Sequence, residues 1–120
     1  MTLDANSAEQ LGLAYQYGSG SVKKDLDTAI RWFTAVPSGR SYRLLGDLYK
    51  DDLKNAAVAL KWYRLSADMN EPRGHEALGN VYDDGVGVPQ DFPQAMKHYL
   101  VAADKLPGAI TRTRRDNQNR

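Results

Sequence analysis

Residues able to do chemistry are few in this chain, and their spacing argues against a catalytic site. The two histidines, His75 and His98, could serve as proton carriers or metal ligands. His75 has Glu76 beside it, but adjacent residues point apart on a helix, and no carboxylate at helical spacing completes a metal set. Asp51-Asp52 and Asp83-Asp84 lack the regular oxygen-ligand spacing of a calcium loop and read as solvated carboxylates at helix ends. Gly18-Ser19-Gly20 and Gly85-Val86-Gly87 look like pieces of a phosphate loop. They follow helical rather than strand-like stretches, and no Lys-Ser/Thr ending is present. Hydroxyls such as Thr28 and Ser66 have no base at a readable spacing. The expectation is a non-enzymatic protein with no cofactor and no metal.

Composition narrows the class further. Cysteine is absent from the 120 residues, which excludes a disulfide scaffold and a thiolate metal site and fits a reducing, cytoplasmic setting. The start, MTLDANSAEQ, shows no basic region followed by an apolar one, so no signal peptide is expected. No apolar run approaches the roughly 18 residues of a membrane span. A net charge of +1 argues against nucleic acid as the main partner. Residues 112–120 carry four arginines against Asp116, a local +3, which leaves the rest of the chain at −2.

The elements that position these residues repeat. Leu11-Gly12, Leu45-Gly46 and Leu78-Gly79 stand 34 and 33 residues apart, and Tyr15, Tyr49 and Tyr82 each follow three residues after the glycine. Ala29, Ala59 and Ala95 come next. Each is followed by a ring pair: Trp32-Phe33, Trp62-Tyr63 and His98-Tyr99. Asp25, Asn55 and Asp91 precede those alanines by four residues, where a helix cap would sit. Ser7 with Gln10 reads as a capping box that starts the first helix. Pro37-Ser38-Gly39 breaks the chain, and Pro72 suits the first turn of a helix. The loop glycines are expected to supply positive φ, and the second unit lacks them. The repeated Leu-Gly glycine is expected to let two helices approach closely.

Six helices follow, near residues 6–17, 25–36, 41–50, 54–69, 72–83 and 91–105, with no strands. A hairpin this small cannot bury its own apolar face, so stacked neighbours must create the core. Trp62 is expected in that core at a repeat junction. His98 shares the column of Trp32 and Trp62, and His75 that of Ala8 and Tyr42, so both read as packing rings.

The signature LG-x-x-Y…G-x-G-V…D-x-x-x-A-x-x-W-Y-x-x-A-A resembles the Sel1-like repeat, a relative of the tetratricopeptide repeat. The third unit matches best, through Leu78, Gly79, Tyr82, Gly85, Gly87, Val88, Asp91, Ala95, Tyr99, Ala102 and Ala103. It departs at His98, where the family prefers Trp. The resemblance implies an all-α, right-handed α-solenoid over residues 1–108, with repeats at about 7–39, 41–70 and 72–106. Residues 109–120 read as a basic, flexible tail. It also implies a protein–protein interaction module whose first helices line the concave side. Hydrolysis of cell-wall or β-lactam substrates is the alternative linked to some members, typically disulfide-stapled ones. A small bacterial immunity protein that caps a toxin or effector is a narrower version.

The first helices can be compared column by column. Residues 8, 11, 12 and 15 form the packed stripe, and residues 10, 13 and 17 point roughly the opposite way. Those opposite columns hold Gln10, Leu44 and Ala77, then Leu13, Asp47 and Asn80, then Tyr17, Asp51 and Asp84. The column of Ala14, Leu48 and Val81 is apolar throughout. Columns that vary while packing columns agree are expected to recognise a partner. The candidate binding residues are therefore Gln10, Leu13, Tyr17, Leu44, Asp47, Asp51, Asn80 and Asp84. The expected partner is a protein or peptide whose contacting segment is net basic or carries a basic anchor.

Overall fold

The computed structural model describes residues 3–105. The tail expected to be flexible lies outside these residues. Six α-helices form three antiparallel pairs: α1 (Ala5–Tyr17) with α2 (Leu26–Ala35), α3 (Gly39–Asp47) with α4 (Ala56–Asp68), and α5 (Pro72–Asp84) with α6 (Phe92–Ala103). There is no strand among the described residues. The α1–α2 loop is held by an isolated bridge, with Ser19 and Val22 exchanging two backbone hydrogen bonds. No helix among the described residues is long and apolar enough to cross a membrane.

Each second helix starts as its cap residue dictates. Asp25, Asn55 and Asp91 accept from the backbone N–H of Thr28, Val58 and Gln94. The Thr28 hydroxyl adds a second bond to Asp25, and together the two hold that carboxyl below its ordinary range. The backbone N–H of each cap donates to the carbonyl of the repeated tyrosine: Asp25 to Tyr15 at 2.8 Å, Asn55 to Tyr49 at 2.7 Å, and Asp91 to Tyr82 at 2.9 Å. Three loops of different length thus close on the same bond.

Two starts differ from the sequence expectation. Asp4, not Ser7, caps α1, and Ser7 is the donor, its N–H reaching Asp4 Oδ1 at 2.6 Å. Helix α3 begins at Gly39 because the Ser38 hydroxyl accepts from Ser41 N–H. The serine read as part of a break is a cap.

The glycine-free second loop is built another way. Helix α3 continues as a π-helical turn over Leu48–Asp52, with Leu53 N–H bonded to the Leu48 carbonyl. Gly18, Gly20, Gly85 and Gly87 take positive φ as expected, and in the second loop Lys54 takes that role at φ 53°.

Within each pair the Leu-Gly glycine receives a ring. Phe33 lies on Gly12, Tyr63 on Gly46 and Tyr99 on Gly79. A methyl group at Gly79 would stand 2.5 Å from Tyr99 Cε1. Phe33 and Tyr63 are buried. Trp62 is only half-buried, on the rim of the first junction, where it packs on Tyr42 at a centroid distance of 5.4 Å. The core ring is the second member of the pair, because only that position faces the glycine.

Stacking supplies the core. One cluster joins repeats one and two through Ala29, Phe33, Leu44, Leu45 and Leu48. A second joins repeats two and three through Leu60, Tyr63, Ala67, Leu78 and Val81. Polar ties cross the first junction as well. Arg40 pairs with the buried Glu9 at 2.9 Å, and the Gln16 amide donates to Asp52 at 2.9 Å.

Candidate functional site

Among the described residues, clefts open on the first helices at two places. The N-terminal one, about 450 Å³, is lined by Gln10, Leu13, Ala14 and Tyr17 of α1 with Gly18 and Ser19. Its prominent side chain is Tyr17, 69% exposed. The second, about 400 Å³, lies between repeats two and three. Arg43 and Asp47 of α3, Lys50 of the π-helical turn, Tyr63 of α4, and Arg73, Glu76, Ala77 and Asn80 of α5 line it.

The eight residues singled out from the sequence are divided by the fold. Gln10, Leu13 and Tyr17 line the first cleft, and Asp47 and Asn80 line the second. Asp51 and Asp84 are exposed and line neither. Leu44 is buried in the first junction core, 8% exposed, and is not a groove anchor. Its column varies because α3 is covered by the preceding repeat, whereas at Gln10 the column is open to solvent.

Asp47 and Asn80 vary for a packing reason too. Tyr63 Oη donates to Asp47 Oδ1 at 2.6 Å, and Tyr99 Oη donates to Asn80 Oδ1 at 2.6 Å. In repeat one the ring is Phe33, which has no hydroxyl, and the matching residue is Leu13, packed against the cluster that holds Phe33. The column follows its facing ring: an acceptor where a phenol must be satisfied, a leucine where there is none. Packing therefore accounts for Asp47, and its difference from Leu13 does not by itself mark recognition. Burial, reinforced by Asp47, raises the Tyr63 pKa far above its ordinary value and keeps the phenol protonated. Arg43 Nη1 holds the other oxygen of Asp47 at 2.7 Å. The helix-end aspartates divide likewise, since Asp52 and Asp83 meet Gln16 and Tyr99 while Asp51 and Asp84 face water.

The cations of the second cleft, Arg43, Lys50 and Arg73, were not singled out from the sequence. The signal was there in the i,i+4 spacing of Arg43 with Asp47 and the i,i+3 spacing of Arg73 with Glu76, which pair at 2.7 and 3.0 Å.

His75 and His98 do meet. Their Nδ1 atoms stand 3.2 Å apart, and His98 also stacks on Tyr82. One nitrogen must donate and the other accept, so at least one ring is neutral at that atom. Burial lowers both pKa values, and His75 lowers that of His98 further. The Tyr42–Trp62 pair occupies the same two columns in repeat two, so the packing role expected of both histidines is the geometry observed. No group of three metal-ligating side chains occurs among the described residues.

Comparison with known proteins agrees with this architecture. The model of the Sel1 repeat matches residues 5–35, 39–71 and 72–105. The chain is 32% identical over 86 residues to the ERAD-associated E3 ubiquitin-protein ligase component HRD3B of Arabidopsis thaliana, covering 72% of this chain and 14% of that protein. It is 30% identical over 97 residues to an uncharacterised protein of Neisseria meningitidis serogroup B, covering 78% of this chain and 20% of that one. The chain thus spans a fifth or less of the length of these two relatives. Among solved structures, a Sel1 repeat protein from Oxalobacter formigenes superposes with a TM-score of 0.72 at 27% identity, covering 86% of this chain and 82% of that one. The protective antigen c5321 of uropathogenic Escherichia coli, which displays the same repeat fold, gives 0.72 at 28%, covering 85% of this chain and 23% of that one. Proteins of this kind are in general protein–protein interaction modules. Three matched repeats, three glycine-seated rings and two stacked junctions together make this chain a member of the Sel1 repeat family.

Proposed function

We propose that this chain is a non-enzymatic adaptor that holds a segment of a partner protein along the face formed by α1, α3 and α5, the concave side of the solenoid. The observation that carries this reading is that both clefts open among first-helix side chains, with Tyr17 projecting from one and charged groups lining the other. An exposed ring flanked by polar groups is the kind of anchor that dominates interface energetics. HRD3B, by its name a component of a larger ligase assembly, is consistent with such a role. A reducing, cytoplasmic setting is part of this reading, supported by the absence of cysteine.

The competing hydrolase reading would place a nucleophile beside His75 or His98. Those rings face each other and Tyr82 instead. The Ser66 hydroxyl is buried and bonded to the Gly39 carbonyl. A bacterial immunity protein that caps a toxin or effector is a narrower form of the adaptor reading and would use the same face.

The test is kinetic. With a partner recovered by pull-down on the intact chain, Tyr17→Ala should speed dissociation at least tenfold and change association little. Leu65→Ala, at an exposed position of α4, should change neither. The reverse pattern overturns the assignment of the binding face.

A further inference from the structure

We propose that the cleft between repeats two and three receives a carboxylate from the bound segment, a side-chain or a C-terminal one. This rests on the adaptor reading and names the chemistry of the partner.

The acceptors lining the cleft are largely engaged from within. Both oxygens of Asp47 are taken, one by Tyr63 Oη and one by Arg43 Nη1, and Glu76 pairs with Arg73 at 3.0 Å. The donors are in surplus. Each guanidinium offers five N–H groups in a planar fork. Arg43 Nε is buried and has no acceptor. Lys50, half-buried, reaches only as far as its exposed neighbour Asp51, at 3.8 Å. Asn80 accepts from Tyr99 through Oδ1, which turns its amide N–H groups to the donor role.

Three cations therefore line the cleft against two carboxylates that are already paired. The group that matches such a lining brings two acceptor oxygens and one negative charge, and a guanidinium fork binds it in bidentate fashion. The basic segment expected from the acidic columns would meet these cations instead. Asp51 and Asp84, the exposed acids of that expectation, lie outside the cleft.

The experiment is a nuclear magnetic resonance titration of the full chain with four short peptides of one neutral sequence. One carries glutamates and an amidated C-terminus, one only a free C-terminal carboxylate, one neither, and one carries lysines. A carboxylate-bearing peptide should give saturable shifts at the Arg43 and Arg73 Nε–H and the Asn80 side-chain amide. It should bind at least tenfold more tightly than the uncharged peptide. The first two peptides tell a side-chain carboxylate from a terminal one. Lys50→Gln with Arg73→Gln, the first half-buried and the second exposed, should weaken that binding at least tenfold while the helical spectrum stays unchanged.

Equal or tighter binding of the lysine peptide in this cleft overturns the carboxylate inference and leaves the adaptor reading standing. So does the absence of saturable shifts there with both carboxylate peptides. A recovered partner that maps to the second helices overturns the adaptor reading itself.

Discussion

A single hydroxyl on the facing ring separates Leu13 from the acceptors Asp47 and Asn80. Tyr63→Phe should cost about 1 kcal/mol, the net value of one hydrogen bond, measured by denaturant unfolding. Asp47→Leu alone should cost more, because it strands a buried phenol and frees Arg43. The double variant copies the Phe33–Leu13 pair of repeat one, so it should recover part of that loss, with a coupling of roughly 0.5–3 kcal/mol in a double-mutant cycle. Additive losses would break the link between column and ring. Gly46→Ala should cost about 1–3 kcal/mol by overpacking against Tyr63. The histidine pair adds a pH dependence. Its folded pKa values are lowered, so its stabilising contribution is complete above the ordinary value of 6.5 and declines as pH falls below it. Lys105 and Asp68 near His75, and Lys97 and Arg64 near His98, add smaller charge effects of either sign. Thermal unfolding through the mildly acidic range should show this decline, and His98→Phe should reduce it.

At the scale of the helix the sequence was a good guide where one residue acts on its own backbone, and a poor one where a distant residue decides. Asp25, Asn55 and Asp91 were legible as caps because capping is local, reaching three residues ahead. Asp4 and Ser38 were missed because a better-known pattern, or a proline, stood next to each. The π-helical turn left no mark in the sequence beyond the missing glycines, since it is set by closing the Asn55–Tyr49 bond across a shortened loop. Lys54 carries the strain of that loop. Lys54→Gly should stabilise the protein by about 1 kcal/mol, because a left-handed non-glycine residue costs roughly that much. A loss of stability on chemical denaturation would show the loop to be relaxed by other means.

Across the whole molecule the repeat count, helix pairing and family were legible from three Leu-Gly pairs, because stacking repeats the same contacts at each junction. The candidate site was only half legible. Tyr17, Leu13 and Gln10 do line a cleft, but variation at Leu44 reflects its place in the stack, and variation at Asp47 and Asn80 reflects the ring opposite. Column comparison cannot separate recognition from packing when the partner side chain lies on another helix. The central claim is that the first-helix face binds the partner. Chemical-shift mapping of the full chain on titration with its recovered partner tests it most directly. The account predicts shifts concentrated at Gln10, Tyr17, Arg43 and Arg73, with Leu65, Phe92 and Met96 on the second helices unchanged. Shifts centred on Leu65, Phe92 and Met96, with Tyr17 and Arg73 unmoved, would contradict it.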